Sequence, residues 1–251
     1  MSFAPVIDAL AIPCDAQVEQ RVPKKLLLEQ GAPTTADKRN IQGGIEEITW
    51  AAALKPTNIG VPAFRDETRE YLEIAVLTVA LRPEAKPPRL IELIHRAIPY
   101  PLVLVSEHCN TVSLSLAHKR WSQGERGKVV IDDVRQVALN LNVLAAEECS
   151  FLASLALSRL PTRDLYALYD GLLERLSALE AARITGTFAP TESEEGAAAR
   201  REGLEAHARV QRDLAVLRTQ AKKEKQLNRR VELNLEIKRL EAKLAATEKT
   251  L

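Results

Sequence analysis

At 251 residues the chain holds either one sizeable core with an appendage or two small domains. Its 46% hydrophobic and 27% charged content excludes a disordered chain, and 4% aromatics with abundant Leu and Ala favour helix. The net charge of +1 hides an asymmetry: residues 196–251 carry 14 Lys and Arg against 8 Asp and Glu, leaving 21 against 26 for the rest, so a mildly acidic body carries a basic tail. The three cysteines, Cys14, Cys109 and Cys149, form no C-x-x-C pair and suit reduced thiols in a cytoplasm. They cannot supply four zinc ligands at short spacing, so no metal site is expected. No apolar run approaches 18 residues, and the first apolar stretch lacks a basic flank and is broken by Asp8. A membrane span and a signal peptide are therefore not expected.

The first 22 residues read as a lead-in with a short helix over 6–12. Pro23 opens a helix over 24–29 that Gly31 stops, and Thr34 or Thr35 caps another to about Gln42, ended by Gly43-Gly44. Residues 45–54 alternate as a strand, and 57–69 read as a loop. Residues 71–81 are apolar on both faces and predict a central, covered strand, with Glu73 inside it. Leu90, Ile91, Ile94 and Ile98 have helical spacing, and Pro99 ends that helix. Residues 102–107 and 111–119 predict a hairpin around His108-Cys109-Asn110, its second strand with one face toward water. A turn over 124–127 and a last strand over 128–139 follow. Residues 144–158 read as helix, and Thr162 caps a further helix to about Ile184 with a leucine stripe.

The C-terminal arm reads as one long helix or two in tandem. Thr191 and Glu194 have capping-box spacing. Val210, Leu214, Leu217 and Ala221 form a 4-3-4 seam. Leu233, Ile237, Leu240 and Leu244 form a second seam in another phase, so a stutter or a hairpin bend falls around 222–232. Across that junction Arg218, Lys222, Lys225 and Arg229 repeat the 4-3-4 spacing with Arg230 beside them. Four cations in a row repel and call for an acidic neighbour, either nucleic-acid phosphates contacted without base readout or an acidic surface on the body of this same protein; the other reading is an ordinary solvated coiled-coil face. The arm has no aromatic residue for base stacking.

Signals for an enzyme are sparse. The sequence holds no phosphate-cradling glycine motif and no G-x-S-x-G, so no cofactor is expected. His118, followed by Lys119 and Arg120 at a strand end, offers an anion contact. A restriction-type nuclease needs Glu-x-Lys after an acidic strand residue, but Ile74 and Ala75 follow Glu73. A carboxylate in an apolar strand needs a partner, with Lys24, Lys25 or Lys55 as candidates. Glu73 and His118 are the candidate catalytic residues.

Several stretches together resemble a bacterial domain-of-unknown-function family, number 4391. They are Val22-Pro23-Lys24-Lys25, Tyr71-Leu72-Glu73-Ile74, Ile94-His95-Arg96-Ala97-Ile98-Pro99-Tyr100-Pro101 and Leu114-Ser115-Leu116-Ala117-His118-Lys119, with Ala182-Arg183-Ile184-Thr185-Gly186 and Asn228-Arg229-Arg230-Val231-Glu232-Leu233-Asn234. The resemblance runs from about Leu10 to the C-terminus and brings no activity with it. It implies a setting beside helicases and DNA methyltransferases of restriction-like, phage-defence loci.

The expected architecture is α+β: a mixed sheet with covering helices over 1–140, a helical connector over 141–188, and a basic coiled-coil-like helix or helical hairpin over 189–251. The expected function is that of a non-enzymatic accessory or scaffold subunit of a DNA-linked complex, dimerising through the arm. Its expected partners are a helicase or methyltransferase and nucleic acid of any sequence. The alternative is a divergent metal-dependent nuclease or other phosphodiester-acting enzyme using Glu73 with a nearby Lys or His.

Overall fold

The computed structural model describes residues 3–122, 124, 129–248 and 251. Two compact units make up the chain, Met1–Leu176 and Ser177–Leu251. The first unit runs α1 (Ala4–Ala9), β1 (Gln17–Arg21), α2 (Lys24–Gln30), α3 (Thr35–Gly44), β2 (Ile45–Leu54), α4 (Pro56–Ile59), β3 (Phe64–Arg65), β4 (Glu70–Tyr71) and β5 (Ile74–Leu81). It continues with α5 (Pro87–Ala97), β6 (Leu102–His108), β7 (Thr111–Leu116), β8 (Lys119–Trp121), β9 (Val129–Ile131), β10 (Arg135–Leu139) and α6 (Ala146–Ser154). The boundary falls within α7 (Leu165–Thr185), and the second unit goes on through α8 (Glu194–Lys223) and α9 (Leu227–Glu248).

Among the described residues the main sheet has six strands in the order β1-β2-β5-β6-β7-β10, with β3-β4 and β8-β9 as separate ribbons. The main sheet is mixed: β5 and β6 run parallel, in register from Ala75–Leu102 to Ala80–Glu107, while its other neighbours are antiparallel. A parallel pair needs a crossover, and α5 supplies it. The helix was legible because Leu90, Ile91, Ile94 and Ile98 recur on one side; these join Leu27, Ile41, Ala75, Leu77, Val79 and Leu104 in one buried cluster. The opposite face is buried too, through Ile74 and Val76 on β5 and Val103 and Val105 on β6. This is an α+β fold, with an all-helical C-terminal part.

Several local expectations need correction. The lead-in contains β1, an exposed edge strand whose pairing is broken by a bulge where Glu19 takes φ 49°. Such a bulge blunts an open edge. The strand expected over 71–81 breaks at Leu72-Glu73, because Tyr71 pairs with Phe64 in the β3-β4 ribbon before β5 starts; Glu73 is therefore not a strand residue. The face of β7 expected to meet water is covered, with Ser113 and Ser115 buried. The last strand splits into β9 and β10, which pair with different partners, β8 and β7. Of the turn expected over 124–127, only Gly124 lies among the described residues, and Lys128 lies outside them. Thr162 does not cap α7; Asp164, two residues later, does, accepting from Ala167 N at 2.8 Å. The arm's cap is Ser193, which accepts from Gly196 N at 3.0 Å, rather than Thr191.

In the second unit the tandem-helix alternative holds. The C-cap of α8, Glu224, is extended at φ −72° and ψ 126°, and α9 turns back along α8. Val210 and Leu214 pack with Ile237, flanked by Leu217, Ala221, Leu240 and Leu244. Arg218 pairs with Glu241 and His207 lies near Glu248, an order that only antiparallel helices give. The two seams are out of phase because each is the other's partner.

Candidate functional sites

His118 lies in the link between β7 and β8. Its Nδ1 is 2.6 Å from the Tyr71 hydroxyl and its Nε2 is 3.2 Å from Asp170 Oδ1 on α7. Lys119 N donates to the same Tyr71 oxygen at 3.4 Å. Burial raises the Tyr71 phenol well above its ordinary value, so the hydroxyl keeps its proton; the Asp170 carboxylate only accepts, so the imidazole with one proton carries it on Nε2 and Nδ1 accepts from Tyr71. The Nε2 proton then points at Asp170, and the direction of each bond in the chain is set. The imidazole also stacks on Tyr166 at 5.0 Å, and Tyr166 stacks on Phe64 at 4.9 Å with Arg69 over its ring at 5.8 Å. Arg69 and Arg120 each bind one oxygen of Asp132, at 3.0 and 3.1 Å. The arrangement orients His118 tightly.

Glu73 finds its partner in Lys55, with Nζ at 3.2 Å. Of the other lysines considered for it, Lys24 donates to Ile45 O and Lys25 pairs with Glu29. Among the described residues no group of three or more His, Cys, Asp or Glu is placed to hold a metal ion.

Lys119, read from the sequence as part of a strand end that offers an anion contact, is buried and donates to His95 O and Ile98 O at the C-terminal end of α5. Burial pushes its ammonium down to about 7, against two helix-end carbonyls that favour the charged form. Next to it His95 is fully buried, with Nε2 3.0 Å from Ser115 Oγ and Nδ1 without a hydrogen-bond partner among the described residues. Burial first, and then the Lys119 charge, push His95 down to about 3.

The arm's cations gather at the hairpin tip. Lys222 and Lys223 end α8, Lys225 is in the link, and Arg229 and Arg230 open α9; all five are exposed. Among the described residues none of these five has a carboxylate within ion-pair distance. Arg218 differs, being bound to Glu241 at 2.7 Å. The single 4-3-4 row expected for these cations does not exist, because the helix that would carry it stops at Lys223. What replaces it is a cluster at a bend.

A family model described as a domain of unknown function, DUF4391, matches residues 10–244. The chain belongs to DUF4391. Comparison with curated proteins and with solved structures returns no match. In this DUF4391 chain the matched span takes in the whole main sheet, Glu73, His118 and the basic tip. The sequence pointed to His118 and Glu73 but not to Tyr71, Tyr166 or Asp170, which lie about 50 residues away from His118 and meet it only through the tertiary fold. Lys119 was legible only as part of a polar strand end with His118 and Arg120.

Proposed function

We propose that this DUF4391 protein is a non-enzymatic accessory subunit that holds nucleic acid through the tip of its C-terminal hairpin. One observation carries the reading: five exposed cations, without carboxylate partners among the described residues, lie at one bend. Clustered like charges raise the energy of an isolated hairpin, and a polyanion relieves it. Backbone phosphates fit such a cluster, because exposed lysines and arginines at a bend contact charge and carry no base readout. The setting is a restriction-like, phage-defence complex in bacteria, with a helicase or DNA methyltransferase docked on the α+β body in the cytoplasm.

The test is binding of the full chain to a fluorescent duplex of arbitrary sequence across a salt series. Expected is sequence-independent binding whose log affinity falls against log salt with a slope of about −4, as for four or five phosphate contacts. Joint replacement Lys222→Glu, Lys225→Glu, Arg229→Glu and Arg230→Glu should abolish it, while Arg218→Glu alone should change it little. Undiminished binding by the fourfold variant overturns the assignment.

A further inference from the structure

We propose that the cleft between Tyr100 and Trp121 in the first unit is a stacking site for one unpaired nucleobase. The cleft has a volume of about 190 Å³ and is walled mainly by Leu72, Pro99, Tyr100, Pro101, Arg120 and Trp121. Drug-sized ligand pockets run to about 300–1,000 Å³, so this one takes a single flat ring system.

Its apolar walls are held open. Among the described residues the first unit exposes four large hydrophobic side chains, and two of them, Leu72 at 52% and Tyr100 at 41%, line this cleft. Exposed apolar area gathered in one concavity marks a contact site more than scattered residues do. The walls are also pre-set. Prolines on both sides fix the backbone of Tyr100, Lys119 binds the Ile98 carbonyl just before them, and Trp121 N donates to Thr68 O at 2.8 Å.

The rim specifies the ring chemistry. Trp50 satisfies its indole by donating to Ala52 O at 2.7 Å. The Trp121 indole N–H and the Tyr100 hydroxyl have no hydrogen-bond partner among the described residues. Arg120, bound to Asp132 through Nε, and Glu70, paired with Arg65 at 3.3 Å, complete the lining. A nucleobase offers two π-faces for the aromatic walls and ring acceptors and amines at its edge for these groups. A purely apolar side chain would offer nothing to the Trp121 N–H and the Tyr100 hydroxyl. The choice of a base over other ring systems rests on the nucleic-acid reading of the hairpin tip.

The experiment uses the full chain with Trp50→Phe, so that Trp121 alone reports. It is titrated with adenosine, with a (dA)8 oligomer and with an abasic oligomer of equal length. Expected are saturable quenching by adenosine and (dA)8, and salt-dependent binding without quenching by the abasic strand. Tyr100→Ser, a change at an exposed position, should weaken (dA)8 by at least about fivefold and leave the abasic strand unchanged. Abasic binding with no quenching by adenosine or (dA)8 overturns the cleft and leaves the tip reading standing. Quenching by adenosine while neither strand binds the tip overturns the tip reading alone. Quenching by N-acetyltyrosinamide as tight as by adenosine overturns the base assignment in favour of a protein side chain.

Discussion

Tyr169 places one hydroxyl among three backbone groups: Leu102 O at 2.8 Å, Ala117 O at 3.0 Å and Ala117 N at 2.9 Å. It ties the start of β6 to the end of β7 from α7, in a fully buried position. Tyr169→Phe keeps the ring and leaves those groups unpaired, so chemical denaturation should show a loss of about 1–3 kcal/mol. An unchanged midpoint would show that the bonds contribute nothing net. His95 makes a pH-dependent contribution. Its folded value of about 3 lies below the ordinary 6.5, so the unfolded chain takes up the proton first. Its contribution is full above about 6.5 and is lost progressively as pH falls toward 3. Thermal unfolding between pH 7 and 4 should therefore show a falling Tm, and His95→Gln should flatten that fall. A parallel fall in both proteins would assign the acid sensitivity to other groups.

At the scale of elements, the β6-β7 hairpin turns on Cys109 and Asn110, with φ of 52° and 50°. Two positive φ angles define a type I′ turn, which favours Asn-Gly, and a Cys there is strained. Cys109→Asn with Asn110→Gly should raise stability by about 1 kcal/mol, measured as a shift of the urea midpoint; a decrease would mean the turn geometry is wrong. The helical hairpin has a small core of its own. Ile237 is 9% exposed against Val210 and Leu214 at 3%, so Ile237→Asp places a charge between the two helices. It should cost about 3 kcal/mol or more and lower the helical signal of the full chain. Retained helicity would mean that the second unit holds α9 by other contacts.

For the whole molecule, the arm's two seams are satisfied within one chain, which removes them as a surface for a second copy. The homodimer expected from the arm then falls to the outer stripe of α9, where Leu227, Val231 and Leu235 are 64%, 50% and 55% exposed at four-residue spacing. Sedimentation should show concentration-dependent association that Leu227→Ser, Val231→Ser and Leu235→Ser together remove. A wild-type monomer at every concentration rules the stripe out. No helix among the described residues is long and apolar enough to cross a membrane.

The sequence by itself determined what repeats along the chain. The strand over 45–54, the α5 stripe and the two arm seams were readable because period-2 and period-3.6 patterns are local, and so was the α+β class they add up to. Only the tertiary structure decided what depends on contacts between distant residues. The Tyr71–His118–Asp170 chain, the Lys55–Glu73 pair, the burial of Lys119 and the split of residues 129–139 between two sheets follow from which element lies beside which. The same holds for the basic residues of the arm. Their composition was evident from the chain, but whether they formed a row or a tip depended on Glu224 leaving the helix so that the two seams could bury each other.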